Sequence, residues 1–169
     1  PVRLLSLNSP TEKLSSARAQ VFYKVGSAPS GFSGKVVEPN VTRHKGTWVP
    51  TDIGSILSLS AFAVMERLYA FDLHHGVIDR LKWPRTIGVE IPVRTSEGSL
   101  INNALYDGDL DVIAVAPFHS LQMPVSVNHG ILAHEHFHAH FAAAWRKLPN
   151  KALTSWGNAT VPVVNRAVF

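Results

Sequence analysis

The sequence contains no cysteine, and this absence excludes disulfide bonds and thiolate metal ligands. Any metal site must therefore use histidine and carboxylate side chains. The 16 lysines and arginines are scattered and the formal net charge is only +4, so a nucleic-acid-binding face is not expected. Charged residues or histidines interrupt the longest apolar stretches, and no basic-then-apolar leader stands at the amino end, so no membrane span is expected.

What the chain does contain is enough apolar sequence to bury a core. Its 169 residues are 46% apolar, which predicts one globular domain. The sequence begins with Pro1 rather than Met, which suggests upstream processing. We expect a secreted or cell-envelope protein.

Local patterns predict an α+β domain with two long helices and a mixed sheet. Residues 1–50, rich in Ser, Pro, Gly and Lys, predict short strands and loops as the amino-terminal segment. The proline-free stretch 51–76 opens with a Thr-Asp cap and closes near Gly76, which predicts a helix of about 20 residues. Three segments with alternating or β-branched residues predict strands: "TIGVEIPVR" (86–94), "NNALYDG" (102–108) and "DLDVIAVAP" (109–117).

The stretch "ILAHEHFHAHF" places four histidines at alternate positions around one glutamate. The segment around it lacks proline and is rich in Ala, Leu and His rather than β-branched residues. This composition predicts a second helix over 128–147, with Asn128 as its cap. On a helix, His134 and His138 share one face, and we expect their imidazoles to converge within reach of one metal. His136 and His140 point elsewhere, and their imidazoles are not expected to converge in this way.

His134, Glu135 and His138 then form an HExxH motif. Two imidazoles one turn apart can reach one Zn²⁺ from the same side, while the adjacent carboxylate can take a proton from water. On a β-strand, by contrast, all four histidines would share one face and could sequester Cu, Ni or Zn. That alternative, a His-rich metal-binding protein, is disfavoured by the alanines and leucine that follow.

The remaining histidines carry less information. His74 and His75 are expected to act as favourable charges at the end of the first helix. Three others are expected to lie in loops: His44, His119 and His129.

The order of a long apolar helix, a strand, "NNALYDG", a strand and "NHGILAHEHFHAHF" resembles the thermolysin-fungalysin group of zinc metallopeptidases (gluzincins). The resemblance covers about residues 51–148 and implies a zincin-like core lobe that cleaves peptide or protein substrates as an endopeptidase. It implies zinc ligands at His134 and His138 and a general base at Glu135. It also implies that Asn103 and Ala104 contact the substrate backbone from an exposed sheet edge.

The chain departs from that group in its last residues. No Asp or Glu follows Glu135, and no His or Tyr follows His140, whereas the family places a third ligand, a glutamate, on a later helix. A catalytic zinc normally keeps three protein ligands. We therefore expect residues 149–169 to be an extension continuing on another polypeptide, which supplies the missing ligand. A catalytically inactive zincin-like structural or interaction module, or an upstream substitute ligand, remains an alternative.

Overall fold

The structure is a computed structural model, and it describes residues 14–23, 37–89, 94–95, 98–99, 102–116 and 122–147. Within these ranges the fold is α+β, with a mixed sheet and two long helices, which confirms the predicted class. In chain order the strands are β1 (Ala19–Tyr23), β2 (Val41–His44), β3 (Thr47–Pro50), β4 (Arg85–Val89), β5 (Arg94–Thr95), β6 (Gly98–Ser99), β7 (Ala104–Asp107) and β8 (Val112–Val115).

The first helix, α1, runs over Ile53–His74 and begins where its sequence supplies a cap. Asp52 accepts hydrogen bonds from both the backbone N–H and the hydroxyl of Ser55, at 2.8 and 3.0 Å, satisfying an amide that the helix leaves unpaired. The helix ends before Gly76, whose φ of 65° suits a residue without Cβ. His74 lies in its last turn, as predicted.

The length and composition of α1 would also allow it to cross a membrane. Half of its apolar window is buried inside the protein, however, and the core helix of a soluble domain passes the same test. Phe62 and Met65 are completely buried, and α1 packs against β1 and β4. The buried part of its apolar surface therefore covers one side of the sheet.

The main sheet has the order β1-β4-β8-β7. The first three strands are parallel, and β7 pairs antiparallel with β8, with Ala104 opposite Val115 and Tyr106 opposite Ile113. Two smaller hairpins pair β2 with β3 and β5 with β6. Because β7 has a neighbour on one side only, it forms an edge of the described sheet.

The second helix, α2, covers His129–Arg146, so the helix predicted over 128–147 is confirmed. Asn128 caps it by accepting hydrogen bonds from the backbone N–H groups of Gly130 and Ile131. The helix packs against β7, β8 and α1. Two short 3₁₀ helices, Ile78–Arg80 and Val125–Val127, connect these elements.

Two expectations for single histidines were wrong. His44 belongs to β2 rather than to a loop, and His129 is the first residue of α2, with its Nδ1 3.0 Å from the Arg67 guanidinium. Both lie at the end of an element, where local sequence patterns locate boundaries least well. His119 and the extension 149–169 lie outside the described residues.

Candidate metal centre

The buried stripe of α2 contains two ionisable side chains. Leu132, Glu135, His136 and Ala139 are buried at the spacing of one helix face. Glu135 is 8% exposed and His136 is 3% exposed. Charged and polar side chains are rarely so buried unless they have partners.

The imidazoles of His134 and His138 converge beside this stripe, as the four-residue spacing predicts. Their Nε2 atoms lie 3.0 Å apart, and the rings are nearly perpendicular at 86°. Two nitrogens bound to one tetrahedral zinc at ordinary bond lengths would be separated by about 3.3 Å. With Glu135 they form a group whose ligand atoms all lie within 4.8 Å of one another. The pair therefore fits a shared metal ion.

The carboxylate of Glu135 lies beside β7, within hydrogen-bonding reach of the backbone N–H of Tyr106. Burial raises the pKa of Glu135 above its usual value, and the Tyr106 hydrogen bond and the nearby His134 only partly oppose this rise. A carboxylate with a raised pKa is a better proton acceptor. Burial, helped by His134, lowers the pKa of His138, which favours the neutral imidazole that metals bind.

The edge strand next to Glu135 turns some of its backbone groups away from the sheet. The Ala116 N–H donates to the Asn103 carbonyl at 2.8 Å, so alternation along the antiparallel pair turns the backbone groups of Ala104 and Tyr106 away from β8. The Ala104 N–H is taken by the Asn103 side-chain oxygen at 2.9 Å. Asn103 is exposed just before β7, whereas Ala104, the first residue of β7, is buried at 7% exposure. Their contact with a substrate stays a prediction.

A polar cluster of Arg85, Tyr106 and Asp111 links this edge strand to the rest of the sheet. The Tyr106 hydroxyl donates to Asp111 at 2.7 Å, and the same carboxylate oxygen accepts from the Arg85 guanidinium at 2.6 Å. Arg85, at the start of β4, is only 1% exposed, and its guanidinium lies 5.8 Å from the centre of the Tyr106 ring. Burial first, and then Asp111, raise the pKa of Tyr106 to about 12. The cluster ties β7 to the middle of the sheet.

The opposite face of α2 carries a second cluster, which corrects one prediction. His136 and His140 were expected not to converge, but both imidazole Nε2 atoms contact the same oxygen of Asp72, at 3.0 and 2.9 Å. Asp72 comes from the last turns of α1 and is 1% exposed. Burial lowers the pKa of His136 to about 4, with Asp72 acting in the other direction. Asp72, His136 and His140 form another group of metal-compatible donors.

A third ligand for His134 and His138 is not evident in the described part of the chain. Apart from Glu135, no described His, Asp or Glu joins their group. Three glutamates lie outside the described residues: Glu12, Glu90 and Glu97. The predicted ligand pair is thus brought together by the fold, while its completion stays a prediction.

Comparison with protein-family models, curated proteins and solved structures returned no match for this chain. The functional interpretation therefore rests on the geometry of the described residues and on the sequence motifs.

Two contributors to these sites were missed from the sequence. The sequence contains one indication of Asp72 as a site residue, because a single carboxylate near the end of an apolar helix is unusual. Tyr106 contributes through its backbone N–H, for which no side-chain pattern gives a signal.

Proposed function

We propose that this chain is part of a zinc-dependent endopeptidase with a zincin-like core lobe. The observation that carries the proposal is the placement of His134 and His138, with Nε2 atoms 3.0 Å apart, beside the buried Glu135 and the edge strand β7 of the described sheet. A metal pair, a proton acceptor and a place for an extended peptide are the parts that peptide hydrolysis needs.

Zinc suits this donor set because it accepts imidazole nitrogens and carboxylate oxygens without thiolates. When bound, zinc supplies Lewis-acid chemistry, lowering the pKa of a water molecule and polarising a carbonyl oxygen. His134 and His138 would hold the ion, and the raised pKa of Glu135 suits it to proton transfer.

Glu135 would act as the general base and then as the general acid. It accepts a proton as the water oxygen bonds to the carbonyl carbon of the scissile peptide. It then delivers that proton to the amide nitrogen as the carbon–nitrogen bond breaks, and a carboxylic acid and an amine leave. The nearby Tyr106 N–H would help to keep the carboxylate beside β7 during both transfers.

The substrate would bind in an extended form along β7. An extended peptide can add to a free sheet edge through main-chain hydrogen bonds. The backbone carbonyls of Ala104 and Tyr106 face that edge, and Asn103 is exposed beside it. This geometry predicts limited side-chain selectivity at these positions, because backbone groups are common to all peptides.

A second polypeptide would complete the site by supplying a carboxylate as the third ligand. Zinc at a catalytic centre normally keeps three protein ligands, and the described residues offer only the two imidazoles apart from the proposed base. The exposed face of α2 also carries Phe137 and Phe141, which are 65% and 41% exposed. Apolar side chains in such positions favour burial against further protein.

The test compares zinc content and peptide cleavage in the assembly recovered from its natural source under non-denaturing conditions. We expect one catalytic zinc, loss of cleavage on chelation, and recovery when zinc is returned. His138→Ala should remove both the ion and the cleavage. His74→Ala, which changes an exposed histidine at the end of α1, is the matched control and should leave both unchanged.

Two results would change the interpretation. Full cleavage by the isolated chain would refute the need for a second polypeptide. An intact assembly that holds no metal at His134 and His138 and cleaves no peptide would instead favour an inactive structural or interaction module.

A further inference from the structure

The cluster formed by Asp72, His136 and His140 has no role in the peptidase proposal. It lies on the other side of α2, because a step of two residues turns a helix by about 200°. It links α2 to the end of α1, since Asp72 is 64 residues away from His136 in the chain. All three side chains are largely shielded from water, with exposures of 1%, 4% and 15% for Asp72, His136 and His140.

Hydrogen bonding alone accounts poorly for this arrangement. Both imidazoles contact the same oxygen, Oδ2 of Asp72. The other oxygen, Oδ1, is buried and has no hydrogen-bond partner among the described residues. Leaving a buried carboxylate oxygen without a partner is unfavourable, because the oxygen loses its hydrogen bonds to water. A cation placed among the three groups would offset the carboxylate charge directly.

The donor geometry is also compatible with a metal site. Nε2 of His136 and Nε2 of His140 lie 3.0 and 2.9 Å from the carboxylate oxygen, within a few tenths of an ångström of the separation of about 3.3 Å between ligand atoms on one tetrahedral zinc. The group also borders a cavity of about 420 Å³, whose apolar lining includes Leu68, Phe71 and Phe137. Space for a further ligand is therefore present beside the three donors.

We propose that Asp72, His136 and His140 form a second binding site, for a divalent transition-metal ion of the Zn²⁺ or Co²⁺ class. Two imidazoles and one carboxylate suit such ions, whereas Ca²⁺ and Mg²⁺ prefer all-oxygen sites. The ion joins α1 to α2 and keeps one coordination position toward the cavity. The four alternating histidines thus serve two sites on opposite faces of one helix.

The test titrates the metal-free full chain with Zn²⁺ and then with Co²⁺. His134→Ala/His138→Ala removes the HExxH pair, so the variant reports on the second site whether or not the peptidase proposal holds. We expect it to retain one tightly bound ion. Adding Asp72→Asn or His140→Ala to it should weaken binding by more than about 100-fold, since losing even a group that only hydrogen-bonds to a ligand costs about 10–100-fold.

Folding is monitored by circular dichroism, because Asp72 is buried. If Asp72→Asn unfolds the chain, His140→Ala, at a partly exposed position, decides the question. X-ray absorption on the zinc-loaded His134→Ala/His138→Ala variant should show imidazole nitrogens and a carboxylate oxygen at about 2.0–2.2 Å. The proposal is overturned if the His134→Ala/His138→Ala variant binds no ion or shows no imidazole scattering. It is also overturned if adding His140→Ala to that variant leaves the affinity for the ion unchanged.

Discussion

The ion pair between the buried Arg85 and the partly exposed Asp111 gives a prediction about stability. Replacing Asp111 by Asn removes the charge that faces the Arg85 guanidinium at 2.6 Å and weakens the acceptor for the Tyr106 hydroxyl at 2.7 Å. Arg85 is 1% exposed and its Nε and Nη2 atoms have no partner among the described residues. The substitution therefore leaves a buried charge without its counter-ion.

The expected loss of unfolding free energy depends on how far the two side chains are buried. Losing one partner of a buried ion pair costs about 3–5 kcal/mol. Asp111 itself is one-third exposed, at 33%, so water can approach the site and we expect about 3 kcal/mol, the lower end. The backbone should not add to this loss, because Asp111 has a φ of 57° and asparagine tolerates the left-handed region well.

Urea unfolding of the metal-free chain at pH 7 measures this difference. With a slope of about 1–3 kcal/mol per molar urea, the midpoint should fall by roughly 1–3 M. Asp109→Asn is the matched control, because Asp109 is exposed in the same turn, and it should stay within about 0.5 kcal/mol of the original. Equal midpoints for the two variants would refute the assignment of Asp111 as the counter-ion of Arg85.

Two further predictions concern pH. In the metal-free chain, Glu135→Gln should raise the free energy of unfolding at pH 7, because burial raises the pKa of this carboxyl and penalises its ionised form. The gain in unfolding free energy should vanish below pH 4.5, where the carboxyl is protonated in both the folded and the unfolded chain. Urea unfolding at several pH values measures the gain, and its absence at pH 7 would contradict the prediction. Tyr106→Phe should destabilise the chain by about 1 kcal/mol below pH 10. Between pH 10 and 12 this deficit should reverse. The original protein loses up to about 3 kcal/mol of stability there, because the Tyr106 pKa is raised to about 12 in the folded chain and its phenol ionises more readily in the unfolded chain. A constant deficit from pH 10 to 12 would argue against this account.

The two long helices were predictable because their ends depend on local chemistry. Asp52 and Asn128 accept hydrogen bonds from the first amides of α1 and α2, and proline-free sequence follows each of them. Spacing within α2 also predicted that His134 and His138 would meet, because a four-residue step places side chains on one face.

Long-range contacts were not predictable in the same way. The parallel pairing of β1 with β4 joins distant segments, and no local pattern specifies which parallel strands become neighbours. The same reason hid the contact of Asp72 with His136 and His140, which depends on how α1 packs against α2. Helical spacing showed that these histidines leave the HExxH face, but only tertiary packing supplies their partner.

The central claim is that Glu135 is the general base, and then the general acid, beside a metal ion held by His134 and His138. The most direct measurement compares Glu135→Gln with the original protein in the native assembly, recording zinc content and the rate of peptide cleavage on the same samples. We expect unchanged zinc and a rate lower by about 10²–10⁴-fold, the usual contribution of a general base. Cleavage within a few-fold of the original rate, or loss of zinc along with activity, would contradict the assignment of Glu135 as a base that does not bind the metal.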